Sequence, residues 1–327
     1  MKNKHLYRVA LGMVLLILIT QACGNKDENT VNDCQVEIDE NTSTVDPSQI
    51  EEHSLDFDGL KRNYMVFLPK NYTSNSHFPL VIYLHSYGWT AEMGMDYTML
   101  NEVANACDFM VAYPSGDNHW NSGIADNASY PTPDNDDVGF INALIDTLGS
   151  DYSIDPNRIY ATGYSNGGFM AYKLACQLSN RIAAIASVGG VLSSTTATNC
   201  NPLRTMPVLH IHGVEDGWVP IEGLRSKNWL SVDETLSYWR DINNCRKTRK
   251  TKLEDIEPSD DSTVEKISYT KCNDNSDVIY YKVINGGHTW PGPSQAGYGN
   301  LNQDFNAGVT IWNFFNDHQL EPIISEN

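Results

Sequence analysis

The chain has 327 residues, 41% of them apolar, and carries 22 Lys and Arg against 41 Asp and Glu for a formal charge of −19. That balance excludes nucleic acid as a partner, since phosphate binding needs a basic surface, and the apolar share is ample for a large core. A soluble, strongly acidic protein in an aqueous compartment fits both.

At the N-terminus, Lys2, Lys4 and Arg8 form a positive segment, and Val9 to Ile19 is an apolar run too short to span a bilayer comfortably. Thr20-Gln21-Ala22-Cys23 follows. This resembles a bacterial lipoprotein signal, which implies export, cleavage before Cys23 and lipidation of Cys23, with membrane contact through the lipid alone. Thr20 stands where such signals usually carry leucine, and plain secretion is the alternative. Losing residues 1–22 removes three cations and no acid, taking the charge from −19 to −22. Residues 23–52 are polar and acidic and read as a disordered tether. One domain is expected over 53–320, with a tail at 321–327. Apart from Cys23, the cysteines are Cys34, Cys107, Cys176, Cys200, Cys245 and Cys272. Their even number permits three disulfides in an oxidising space, and no Cys-x-x-Cys occurs.

Strands are predicted at 63–69, 79–85, 109–114, 158–163, 183–188, 208–212 and 278–283. Helices are predicted at 97–104, 138–148, 168–178, 232–243 and 307–315. Strand alternating with helix implies an α/β fold: a doubly wound, mostly parallel sheet with helices on both faces. Ligands in such sheets bind beyond the carboxyl ends of the strands. The stretch 246–270 is charged and polar and reads as a surface excursion.

Three strand ends carry the chemistry. Gly163-x-Ser165-x-Gly167 follows a strand and opens a helix, the setting of a nucleophile elbow that lifts Oγ above the sheet. A serine there needs a base, and the base needs an orienting acid. Asp216 lies in the turn after His210-Ile211-His212-Gly213, and His288 lies in the Gly- and Pro-rich loop after the last apolar strand. The order Ser165, Asp216, His288 is the one this fold requires. Glu215 is the alternative acid. His210 and His212, on the strand itself and expected on alternating faces, read as structural. His85 reads as a shaper of its loop, and His5, His53, His119 and His318 receive no catalytic role. An oxyanion hole would take one backbone N–H from Asn166 and another from Tyr87, with Ser86 the alternative.

His85-Ser86, Trp120-Asn121, Asp136-Asp137-Val138-Gly139-Phe140, Asp155-Pro156-Asn157-Arg158, Gly163 to Gly168, His212-Gly213-x-x-Asp216 and Gly287-His288-Thr289-Trp290-Pro291-Gly292 occur in this order. Together they resemble the secreted polyhydroxybutyrate depolymerase and feruloyl esterase family, from about Arg62 onward. The resemblance implies a single-domain α/β-hydrolase, no metal or other cofactor, and a triad of Ser165, Asp216 and His288. It also implies a Cys245–Cys272 bridge, worth ~3 kcal/mol in the chain-entropy model. Cys176 with Cys200 is a second candidate pair, and Cys34 with Cys107 takes the remainder. The family usually has glycine at the position of Ser86, so the oxyanion loop could differ here.

Trp89, Trp120, Trp218 and Trp290 lie near the site motifs and are the candidate substrate contacts, Trp89 and Trp120 foremost. Trp229, Trp239 and Trp312 read as packing residues. The expected activity is hydrolysis of feruloyl or acetyl esters of polysaccharide, or of small aryl esters, with no protein partner implied. A polyester depolymerase is the alternative. A non-catalytic surface lipoprotein that binds glycan or polymer is the alternative of another kind.

Overall fold

A computed structural model of the chain describes residues 33–36, 45–124, 134–292 and 297–321. The expected signal with Cys23, most of the tether and the end of the tail lie outside the described residues.

Ten strands, β1 (Ile50–Phe57), β2 (Leu60–Phe67), β3 (Phe78–Leu84), β4 (Met110–Pro114), β5 (Ile154–Tyr164), β6 (Ala184–Val188), β7 (Val208–Gly213), β8 (Lys247–Lys252), β9 (Thr263–Thr270) and β10 (Val278–Ile284), form one sheet. Their order across it is β1-β2-β4-β3-β5-β6-β7-β10-β9-β8. The middle, from β4 to β10, is parallel, and each edge ends in an antiparallel hairpin. Seven helices accompany it among the described residues: α1 (Ala91–Thr98), α2 (Leu100–Cys107), α3 (Asp137–Asp151), α4 (Asn166–Gln177), α5 (Ser194–Thr198), α6 (Val232–Ile242) and α7 (Ala307–Asn316).

The parallel strands are apolar almost throughout because both faces are covered. On β3 the alternation decides which core each side chain enters. Leu80, Ile82 and Leu84 pack with Phe140 and Leu144 of α3, Phe169 and Leu174 of α4, and Trp239 of α6. Val81 and Tyr83 pack on the other face with Val103 of α2 and Ile311 and Trp312 of α7. The expected doubly wound α/β sheet with helices on both faces is the fold observed.

Three departures have physical causes. The single helix expected over 97–104 is two, because Met99 adopts a left-handed conformation (φ 50°) between α1 and α2. Strand β1 starts ahead of the expected boundary at 53, and its residues are mostly polar because it is a sheet edge. The stretch 246–270, expected as a surface excursion, holds the strands β8 and β9. Every residue of β8, Lys-Thr-Arg-Lys-Thr-Lys, is exposed, and such a charged edge discourages pairing with another chain.

Three disulfides join Cys34 to Cys107, Cys176 to Cys200 and Cys245 to Cys272, which fits folding in an oxidising compartment. The first ties residue 34 to the end of α2, so the chain there is not a free tether. The Asn313 side chain of α7 also accepts the Cys34 N–H at 2.8 Å.

Candidate active site

The end of β5 and the start of α4 set the nucleophile. Ser165 takes φ 56° and ψ −118°, a strained conformation for a residue with a Cβ. Close backbone approach holds it there. A Cβ on Gly167 would lie 1.9 Å from the Leu84 carbonyl oxygen, and one on Gly163 would lie 2.4 Å from the Gly167 carbonyl carbon. The Ser165 N–H donates to the Val188 carbonyl at 2.8 Å, anchoring the turn to β6. Asn166 opens α4, so its N–H stands at a helix N-terminus, where partial positive charge collects.

His288 meets Asp216 at 2.6 Å between Nδ1 and Oδ2. A carboxylate can only accept, so Nδ1 carries the proton and Nε2 is left as the base. The other Asp216 oxygen, Oδ1, accepts the Trp218 N–H at 2.9 Å and the Val219 N–H at 2.8 Å. Burial would raise this carboxyl, but its interactions with the His212 and His288 side chains outweigh it and hold it well below the usual carboxylate range. Glu215, the alternative acid, is exposed, and its N–H is turned to the Gly286 carbonyl. The His288 backbone pairs with Tyr298 in both directions, and the Tyr164 hydroxyl donates to the His288 carbonyl at 2.7 Å. Gly189 leaves room for the imidazole, since a Cβ there would lie 3.0 Å from Cε1 and Nδ1.

The two strand histidines are more closely engaged than expected. Residues two apart on a strand share a face, and His210 Nε2 lies 3.1 Å from His212 Nδ1. His212 Nε2 in turn lies 3.2 Å from Asp216 Oδ2. The expectation of alternating faces was wrong.

On the other side, His85 is buried and works as a brace. Its Nδ1 donates to the Ser86 carbonyl at 2.8 Å, and its Nε2 accepts the Gly116 N–H at 2.8 Å. Burial pushes its pKa down to about 4, so the ring is neutral. The Gly88 N–H donates to the Asn118 carbonyl, and the Asn166 side chain accepts the Trp120 N–H at 2.7 Å. The loops at 85–88 and 115–122 are thereby locked to the first residue of α4. Ser86 does not have positive φ and is accommodated, while the left-handed turn falls on Gly88 at φ 73°. Asp137 supports this loop from below. Its carboxylate accepts the Arg62 guanidinium at 2.7 Å and the Asn121 N–H at 2.7 Å, which gives the Asp136-Asp137 motif a structural use.

Ser165, His288, Asn166, Tyr87 and Ser86 line one cavity of about 320 Å³. Its walls are aromatic: Trp89, Tyr164, Phe169, Trp218, Trp229 and Tyr298. Two of the four expected tryptophan contacts fail. Trp120 has no exposed surface and donates its indole N–H to the His85 carbonyl. Trp290 is buried edge-on against Tyr83. Each packs its loop, which is why it sits beside a motif without reaching the cavity. Trp229 was misplaced the other way. It lies ahead of α6 and meets Phe169 at the cavity wall, ring centres 5.3 Å apart. Tyr298 and Ile124 were also missed, since no local motif marks a loop residue that folds back over a site. Among the described residues, no group of three or more His, Cys, Asp or Glu is placed to hold a metal ion.

A strained serine on a strand-to-helix turn and a histidine paired with a carboxylate at neighbouring strand ends define an α/β-hydrolase. Residues 134–262 match the family model described as phospholipase/carboxylesterase. A protein of Nocardia uniformis subsp. tsuyamanensis named as an esterase, NocK, is 30% identical over 228 residues, which are 65% of this chain and 66% of that protein. The chain thus spans just under two thirds of that relative's length. Feruloyl esterase D of Neurospora crassa is 26% identical over 273 residues, 80% of this chain and 84% of that protein. The acetyl xylan esterase of Aspergillus awamori superposes with a TM-score of 0.52 at 16% identity, over 73% of this chain and 94% of that one, a likeness of fold. The chain has the α/β-hydrolase fold and is similar to carboxylesterases.

Proposed function

We propose that the chain is a serine carboxylic-ester hydrolase that works through an acyl-enzyme on Ser165. The observation that carries this is the 2.6 Å His288–Asp216 pair opening, with a strained Ser165, into one cavity. Ser165 Oγ attacks the ester carbonyl while His288 Nε2 takes its proton. Asp216 holds the imidazole in the required tautomer and offsets the charge that the ring acquires. The Asn166 and Tyr87 N–H groups bind the oxyanion. His288 then passes the proton to the departing alkoxide, and water, deprotonated by the same ring, releases the acid.

The aromatic walls favour a flat acyl group, as does the relative named feruloyl esterase, and a relative named bifunctional acetylxylan esterase/xylanase adds acetyl esters. The substrate class proposed is therefore the feruloyl or acetyl esters of polysaccharide, together with small aryl esters. Polyester cleavage is the second reading, favoured by one feature: Trp218 and Tyr298 form an exposed aromatic pair, ring centres 5.0 Å apart, at the cavity rim. Rates on methyl ferulate, acetylated xylan and a hydroxybutyrate oligomer, measured side by side, decide between them. Fluorophosphonate labelling that is lost in Ser165→Ala tests the mechanism, and a protein that takes no label is a binding module instead. The three disulfides and the N-terminal sequence support export, with Cys23 as the lipidated residue. Mass spectrometry of the N-terminus tests that part.

A further inference from the structure

Behind the His288–Asp216 pair, three polar side chains run in line through the apolar core on the α4 side of the sheet. The Tyr172 hydroxyl lies 2.8 Å from His210 Nδ1. His210 Nε2 lies 3.1 Å from His212 Nδ1. His212 Nε2 lies 2.8 Å from the Val219 carbonyl oxygen and 3.2 Å from Asp216 Oδ2. Tyr172 and His210 have no exposed surface, and His212 has 1%. Buried polar groups of this kind are costly unless every one is paired, and here each ring nitrogen has a partner.

The directions of these bonds follow from one group. A carbonyl only accepts, so His212 Nε2 must carry a proton. A neutral His212 then accepts at Nδ1, His210 must donate from Nε2, and His210 Nδ1 accepts the Tyr172 hydroxyl. Charge argues for the neutral ring. Asp216 has one negative charge, and its Oδ2 must offset the imidazolium that His288 becomes during turnover. A second buried imidazolium on that same oxygen would compete for it. Burial pushes the His210 pKa well below the usual histidine range, so that ring is neutral too.

We propose that Tyr172, His210 and His212 are positioning residues for the esterase reaction: their chain of hydrogen bonds fixes the His212 tautomer that carries its proton at Nε2, between the Val219 carbonyl and Asp216 Oδ2, and so sets where Asp216 holds His288. The inference rests on the function proposed above. It also gives α4 a double role. Its first residue follows the nucleophile, and Tyr172, six residues further along the helix and about 9 Å up its axis, anchors the far end of the chain that reaches the acid. The spacing between nucleophile and acid thus becomes a property of one helix.

The test compares Tyr172→Phe, His212→Leu and His212→Gln for kcat and KM on a short aryl ester. The Nδ1 proton of His288 and the ring nitrogens are followed by NMR in protein labelled with ¹⁵N-histidine. Tyr172→Phe is expected to lower kcat about fivefold with KM unchanged, the effect of one neutral hydrogen bond. His212→Leu removes a donor to a charged group and should lower kcat by about tenfold or more, while the amide of His212→Gln restores part of it. In both deficient variants the His288 Nδ1 proton should move. An unchanged kcat with an unmoved proton in Tyr172→Phe would overturn the proposal, as would ¹⁵N shifts showing both His212 nitrogens protonated at pH 7. If His212→Leu does not fold, Tyr172→Phe still decides. Should the wild-type protein hydrolyse no ester and take no fluorophosphonate, the functional reading fails. The proton shift on Tyr172→Phe still reports whether the chain reaches His288.

Discussion

The serine side and the histidine side of the cleft are held by different physics. Around Ser165 the restraint is steric: backbone packs on backbone at Gly163 and Gly167, with no space for a methyl group. Around His288 it is polar: Asp216 accepts three hydrogen bonds and lies 3.2 Å from His212, and side chains from β7, α4 and two loops contribute. Steric restraint fails all at once, whereas a hydrogen-bonded one fails by degrees. The largest expected effect therefore lies on the serine side. Gly167→Ala, with its Cβ 1.9 Å from a main-chain oxygen, should abolish soluble folded protein or lower its unfolding midpoint sharply, since backbone cannot step aside as a side chain can. A variant that folds with normal stability and activity would show that the elbow is looser than its packing.

Asp216→Asn should leave the fold intact and cut kcat roughly 10⁴-fold, because an amide can donate to His288 Nδ1 and so favour the wrong tautomer. Circular dichroism with a single-turnover assay separates that outcome from unfolding. A loss no larger than tenfold would mean that Asp216 is not the orienting acid.

The steric side was the more legible in the sequence. Glycines flanking a serine between a strand and a helix advertise a close approach, because no other residue tolerates it, and so Ser165 can be placed from a short window. Asp216 and His288 were legible through their order along the chain and their places after apolar strands. The polar side was legible only in part. Nothing local shows that His210 reaches Tyr172, because that contact joins β7 to the middle of α4 across a sequence separation of 38. Tryptophan failed as a guide for a related reason. Trp120 and Trp290 neighbour motifs in sequence yet point into the core, while Trp229 comes to the cavity from a segment with no motif at all. The edge strands β1 and β8 were illegible because a solvated edge has no apolar period to read.

The braces on the two sides also respond differently to acid. His85 has its pKa lowered to about 4 in the fold, from an ordinary 6.5, so the unfolded chain binds the extra proton first. Its contribution to stability is fully present above pH 6.5 and is lost as pH falls to about 4, with an upper size of about 3 kcal/mol. His318, also lowered to about 4 by burial, loses stability over the same window. Asp216, whose carboxyl is depressed, gives up its contribution only below the usual carboxylate range. Urea denaturation between pH 7 and pH 4 should therefore show stability falling before the Asp216 carboxyl is itself protonated. A flat profile across that interval would mean that His85 is not held neutral by the loop.

The smallest effects are expected at the cavity wall, where they bear on substrate rather than on chemistry. Trp229 is 5% exposed and faces the cavity beside Phe169, whereas Trp218 is 51% exposed and stands at the rim with Tyr298. A buried wall residue contacts the acyl group whatever the alcohol, so Trp229→Leu should raise KM for methyl ferulate and for feruloylated polysaccharide alike, by about fivefold for a lost aromatic contact. A rim residue meets only what extends out of the cavity. Trp218→Ala should therefore leave methyl ferulate within about twofold and raise KM several-fold for the polymer, since contacts made equally in ground and transition states appear in KM rather than kcat. Equal effects of both variants on the small ester would place Trp218 on the acyl group and leave the rim without a role in polymer binding.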